Sequence, residues 1–187
     1  MSALKEWTWT YSDPKDGEKY LISTAKPLIS HTFISDAMAS PELYWTKPMA
    51  PENIQPMIDN CCIFGLYCVP STPPGPPSKP APETPADAAN PATTQLQQIG
   101  LARLITDYVT FCYLTDVYVL QSYKGRGLGR WLVRCVKEVI DAHPELRRAA
   151  LLTNSEGRGV GLYREELGME IYDGKEGFVV MMVKGER

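Results

Sequence analysis

Thr115-Asp116-Val117-Tyr118-Val119-Leu120-Gln121-Ser122-Tyr123-Lys124-Gly125-Arg126-Gly127-Leu128-Gly129-Arg130 joins a β-rich run to three alternate glycines. After the glycines Leu128, Trp131, Leu132, Cys135, Val136, Val139 and Ile140 recur at intervals of three and four. Arg130, Arg134, Lys137, Glu138 and Asp141 occupy the other face, so the spacing predicts an amphipathic helix ending near His143-Pro144. A strand that runs through glycines into a helix leaves several backbone N–H groups unpaired at one spot, where the helix dipole also favours negative charge. A phosphate fits such a turn. Glycine is required there because a β-carbon would hold ligand oxygens away from the amides or forbid the turn's dihedrals.

Downstream of this unit, Ala149 to Thr153 and Phe178 to Val183 read as strands, with a second helix beginning near Arg158. Together with the run from Leu114 to Leu120 they give a βαβαβ order, which implies a mixed α/β sheet covered by helices. Upstream, Trp7 to Trp9 and Lys19 to Thr24 have the length of short strands. Ile29 to Met38 and Glu52 to Asn60 carry helical spacing interrupted by Pro41, Pro48 and Pro51. Cys62 to Tyr67 and Ile99 to Thr106 are further apolar runs of strand length.

Between those last two runs the composition changes abruptly. From Val69 to Thr94, Pro70, Pro73, Pro74, Pro76, Pro77, Pro80, Pro82, Pro85 and Pro91 alternate with small polar residues and alanine. Proline removes amide donors, and too few large apolar side chains are present to offset the entropy of ordering. The segment is therefore expected to be a mobile loop, an overgrown hairpin connection inserted at 69–94 in a single domain spanning 1–187. Pro74, Pro77 and Lys79 form a PxxPxK pattern that an SH3-type groove could read, with an inert linker as the bland alternative.

The composition narrows the function. An apolar fraction of 44% and a charged fraction of 22% are those of an ordinary globule, and a formal net charge of −3 argues against nucleic acid as a partner. Residues 1 to 20 mix Trp7 and Trp9 with Asp13, Asp16 and Glu18 and offer no continuous apolar run. Neither a secretory signal nor a membrane anchor is expected, and a cytoplasmic protein follows, with the nucleus open. Cys61, Cys62, Cys68, Cys112 and Cys135 lack paired-ligand spacing, and His31 and His143 lie far apart, so reduced thiols and no metal site are predicted. Oligomeric state, monomer or homodimer, is open.

Two other phosphate loops can be set aside. A P-loop needs Lys-Ser or Lys-Thr after its last glycine, where this chain has Arg130-Trp131. A GxGxxG dinucleotide fingerprint needs glycine at 130 and an acidic residue about twenty positions on, where this chain has Ala149 to Thr153. Lys124-Gly125-Arg126-Gly127-Leu128-Gly129 instead resembles the GNAT acyltransferase signature, Arg/Gln-x-x-Gly-x-Gly/Ala, preceded by its Val-x-Val strand, here Val117 to Val119. Lys124 stands where Arg or Gln is usual. A second segment, Leu162-Tyr163-Arg164-Glu165-Glu166-Leu167-Gly168-Met169, is similar to the family's Leu-Tyr-x-x-x-Gly-Phe, with one extra residue before Gly168 and Met169 in place of the aromatic.

The resemblance implies a GNAT-like central mixed sheet with splayed strands flanked by helices, and acetyl-CoA as co-substrate. It implies that the amides around Gly125, Arg126, Gly127, Leu128, Gly129 and Arg130, with Lys124, hold the coenzyme diphosphate. Val117, Tyr118 and Val119 would pair through their backbones with the pantetheine arm, and Asn154 stands near a position that contacts the coenzyme in relatives. An alkylamine has a pKa of about 10.4, so a base must remove its proton, and the departing thiolate benefits from an acid. Tyr163 matches the family's tyrosine and is the candidate acid; a tyrosine capping the core is the alternative. Asp116 is the candidate base; a structural aspartate at a strand end is an equal alternative, and water serves as base in many relatives. By strand alternation Asp116 shares a face with Tyr118 and Leu120, opposite Thr115, Val117 and Val119. The implied activity is acetyl transfer to a primary amine, of a small molecule first and of a protein lysine or N-terminus second. A non-catalytic acyl-CoA-binding scaffold is the reading from another class.

Overall fold

Among the described residues, short apolar runs build six strands, and apolar stripes at helical spacing build the helices that cover them. The computed structural model describes residues 5–15, 17–43, 45–70, 96–172 and 181. Strands β1 (Thr8–Ser12), β2 (Lys19–Ser23), β3 (Cys62–Val69), β4 (Gln97–Thr106), β5 (Phe111–Val119) and β6 (Arg148–Leu151) form one sheet in chain order. Neighbours are antiparallel up to β5, and β6 is parallel to β5. A parallel pair needs a crossover, and α3 (Leu128–Asp141) supplies it.

The two faces of the sheet carry separate cores. On one, Tyr20, Phe64, Ala102, Leu114 and Val119 pack with Leu128, Leu132, Cys135 and Val136 of α3. On the other, Ile63, Leu101 and Tyr118 pack with Ile34 and Met38 of α1 (His31–Ala39) and with Ile54 and Ile58 of α2 (Ile54–Asp59). Ser30 starts α1 by accepting from the Phe33 amide at 3.1 Å, which satisfies one of the donors a helix start leaves open. The predicted stripe of α3 is the buried one, with Val133 added and Trp131 set against Tyr11 at a ring separation of 5.4 Å.

β3 and β4 pair with Cys68 opposite Gln97, so the proline-rich interval joins the ends of neighbouring antiparallel strands. Val69, expected in the loop, is the last residue of β3 because it still pairs with Lys19. The PxxPxK pattern lies outside the described residues, as does the expected strand from Phe178 to Val183 apart from Met181, which is exposed. α4 (Gly159–Leu167) begins one residue after the expected start. Its last turn is wide: the Tyr163 carbonyl accepts from Gly168 and, at 3.4 Å, from Met169, with Gly168 left-handed at φ 67°. Among the described residues no helix is long and apolar enough to cross a membrane.

The α3 core fixes where the helix start points, so it should dominate stability. Leu132 is fully buried, and Leu132→Ala is expected to cost about 3 kcal/mol in chemical denaturation. Ile105, exposed at the far end of β4, should lose less than about 1 kcal/mol as Ile105→Ala.

Candidate active site

The site begins with one residue too many in β5. Arg103 pairs with Thr115 and Leu101 with Tyr118, so Ala102 alone faces both Asp116 and Val117. Asp116 absorbs the surplus in a left-handed conformation, φ 51°, which makes this a β-bulge. Leu101 and Arg103 are two apart on a strand and share a face, so their partners Thr115 and Tyr118 share one too, although they are three apart. This corrects the face assignment made from alternation, which set Thr115 opposite Tyr118. The bulge resets the parity, and Val117 joins the α3 core while Tyr118 joins that of α1 and α2.

The bulge also marks where the sheet opens. Pairing of β5 with β6 runs from Phe111 opposite Arg148 to Leu114 opposite Leu151 and stops, while β5 continues to Val119. A bulged strand bends and twists, and a cleft of 560 Å³ lies between the diverging strands. Trp45, Tyr113, Thr115, Asp116, Asn154 and Tyr163 are among its lining residues. Four sequence candidates thus meet at one place: Asp116, Val117, Asn154 and Tyr163.

Asp116 is buried and fully hydrogen-bonded. Arg103 donates to its Oδ2 through Nε and NH2, each at 2.6 Å. Trp45 Nε1 and Thr115 Oγ1 donate to Oδ1, each at 3.2 Å. A buried carboxylate left without such partners would cost several kcal/mol, of order 3–5 for a broken buried pair. Tyr163 is half-buried against the α3 core, and burial pushes its phenol pKa above the ordinary 10. Tyr113 is raised as well, by burial first and by the Asp116 carboxylate second. Asn154 Oδ1 accepts from the Glu156 amide at 2.9 Å and so shapes the turn that leads to α4.

The glycine turn sits at the end of β5. Gly127 caps α3 with φ 79°, a conformation that side chains with a β-carbon rarely adopt. The first intrahelical bond is Trp131 N–H to Gly127 O at 3.0 Å, and no side chain caps the helix. The amides of Leu128, Gly129 and Arg130 therefore precede the intrahelical ladder and point out of the helix start. A β-carbon on Gly129 would meet nothing closer than Val119 Cγ2 at 3.9 Å. Protein packing does not demand that glycine, whereas a ligand resting on the amides would, and a diphosphate fits the cradle. The neighbouring cations face carboxylates: Lys124 pairs with Glu42, Arg126 with Glu18, and Arg130 with Glu165 and Glu166.

A model of the acetyltransferase (GNAT) family matches residues 89–169. The Gibberella zeae protein FG08082, assigned as an acetyltransferase, is 33% identical over 188 residues, covering 99% of this chain and 97% of its own. The chain belongs to the GNAT acetyltransferase family. A Xanthomonas campestris pv. campestris crystal structure assigned to the same family superimposes with a TM-score of 0.59 at 26% identity, covering 88% of this acetyltransferase and 93% of that chain. A Clostridium difficile structure shares the fold, with a TM-score of 0.52 at 10% identity over 97% of this acetyltransferase and 99% of that chain.

Four residues at the cleft escape sequence reading. Trp45 and Arg103 reach Asp116 across 71 and 13 positions respectively, and such tertiary contacts leave no periodic trace. Thr115 and Tyr113 could have been found only with the bulge in hand, since it is the bulge that sets their face.

Gly129 separates ligand from fold. Gly129→Val is expected to leave the melting temperature within a few degrees of the parent, because the space is open and the residue is helical. It should weaken acetyl-CoA binding by calorimetry about tenfold or more, since the side chain stands where an anion would approach the amides.

Proposed function

We propose that this acetyltransferase moves an acetyl group from acetyl-CoA to the primary amine of a small molecule by direct attack. The observation that carries the reading is the meeting of Tyr163 and Asp116 in one cleft, beside a β5 edge that β6 leaves and that runs on to the amide cradle. The family uses acetyl-CoA, whose thioester supplies an electrophilic carbonyl carbon.

In this reading the amides of Leu128, Gly129 and Arg130 hold the diphosphate with the help of the α3 dipole. Backbone groups of Val117 to Val119 take the amide-rich arm as an added strand would be taken. The amine forms a C–N bond as the C–S bond breaks, its excess proton must leave, and the thiolate must gain one. Because Arg103, Trp45 and Thr115 already occupy the Asp116 carboxylate, the amine's proton passes to a water in the cleft, with Asp116 as the buried charge that orders the site beside it. Tyr163 gives the thiolate a proton from its phenol. Burial favours that role, because a neutral phenol is what the acid must be and burial keeps it neutral. A reducing, cytoplasmic setting fits the free cysteines, with Cys62 and Cys135 pushed by burial up to about 12.

Tyr163→Phe should lower kcat about 10²-fold while acetyl-CoA binding by calorimetry stays within twofold of the parent. Because the phenol pKa lies above 10, the parent rate should climb with pH as the amine deprotonates. It should show no downturn from loss of the acid below about pH 10. A variant with more than half the parent kcat would end Tyr163's part in this scheme.

A further inference from the structure

The cleft is lined by residues from both faces of the sheet, and the two sides of its lining differ in chemistry. Tyr163 belongs to the α3 side, where it packs on the core that includes Leu128 at the cradle. Trp45 belongs to the connection between α1 and α2, on the face where Leu101 and Tyr118 are buried. A coenzyme anchored at the α3 start approaches from the α3 side, which leaves the Trp45 side to the acceptor.

Trp45 is held yet open. Its indole N–H donates to Asp116 Oδ1 at 3.2 Å, and Asp116 is itself clamped by Arg103 at 2.6 Å, while 44% of the residue remains exposed. A large aromatic surface pinned at one edge and presented to a cavity is a preorganised contact, because little side-chain entropy remains to be lost on binding. Tyr113 adds a second ring to the lining, and Leu114, Leu151 and Leu152 add aliphatic surface.

Charge narrows the ligand further. Among the described lining residues Asp116 is the one charged group, and Arg103 matches it. Among the described lining residues no cation is there to receive a carboxylate or phosphate on the acceptor, and an anion buried without a partner is strongly disfavoured. An ammonium group, by contrast, is attracted by the face of an indole.

We propose that Trp45 is the specificity-determining wall of the acceptor subsite, and that the acceptor is a primary amine on a flat apolar body with no acidic group of its own. This rests on the acetyl-transfer reading above.

The test measures CoA release with 2-phenylethylamine, n-pentylamine, phenylalanine and a lysine-containing peptide as acceptors. For the parent, kcat/KM should be at least about tenfold higher for 2-phenylethylamine than for phenylalanine, with n-pentylamine between them. Trp45→Ala should raise the KM for 2-phenylethylamine about tenfold and leave the KM for acetyl-CoA unchanged, while Trp45→Phe, which also lacks the bond to Asp116 but keeps a ring, restores most of the loss. A Trp45→Ala variant that keeps the parent KM for the amine, or a parent that prefers phenylalanine, overturns this inference and leaves small-amine acetylation standing. Transfer to the peptide alone, or to no acceptor despite acetyl-CoA binding, overturns both.

Discussion

The ion pair between Arg103 and Asp116 is the contact on which the site depends. Asp116 sits in a left-handed conformation that costs an L-residue roughly 1–2 kcal/mol, and its carboxylate is buried. Neither condition would persist alone. Two charge-assisted bonds from Arg103 and two longer ones from Trp45 and Thr115 satisfy the carboxylate, and the bulge is held in place with it. The pairing of β5 with β6 ends at Leu114, two residues before Asp116. One surplus residue, fixed electrostatically, thus stands where two parallel strands separate and a cavity opens between them.

Most of the frame was legible because it depends on local periodicity. The α3 stripe from Leu128 to Ile140, the short apolar runs of β3 and β4, and the left-handed Gly127 before the helix all follow from side-chain spacing or composition or from the absence of a β-carbon. The glycine turn was legible for the same reason, since strand, glycines and helix lie consecutively in the chain. Asp116 was picked out by position, but its geometry was hidden: nothing in Thr115-Asp116-Val117 distinguishes a bulge from a regular strand. The face of Thr115 went wrong as a direct consequence, because a single extra residue inverts every later assignment that rests on a period of two. Trp45 was invisible for a different reason. It lies in a connection broken by Pro41 and Pro48 and gains its place through a bond to a residue 71 positions away.

Burial and exposure divide the site's residues by task. The side chains of Tyr118 and Val119 lie in opposite cores, so what they can offer a ligand is their backbone. Tyr163 and Tyr113 are only partly covered, enough to keep their phenols protonated and little enough to leave them at the cleft wall. Asn154 spends its side-chain oxygen on the turn before α4. Its contribution to Tyr163 is therefore the direction in which the helix sets out, whatever else the residue contacts.

The cations around the glycine turn serve as struts. Lys124 reaches Glu42 just beyond α1, Arg126 reaches Glu18 and the Tyr20 hydroxyl at β2, and Arg130 reaches Glu165 and Glu166 on α4. With each of these charges set against a carboxylate, the attraction such a turn would offer a diphosphate would come chiefly from oriented amides and the helix dipole. Such a cradle is directional, because amides act only along their N–H bonds, whereas three unmatched cations would attract any polyanion from any side. The same struts fasten the turn to the start of β2, to the segment after α1 and to the helix that bears Tyr163. Arg130 follows the last glycine of the turn and pairs with Glu165 and Glu166 in the final turn of α4, so one side chain links the start of α3 to the helix that carries the tyrosine at the cleft.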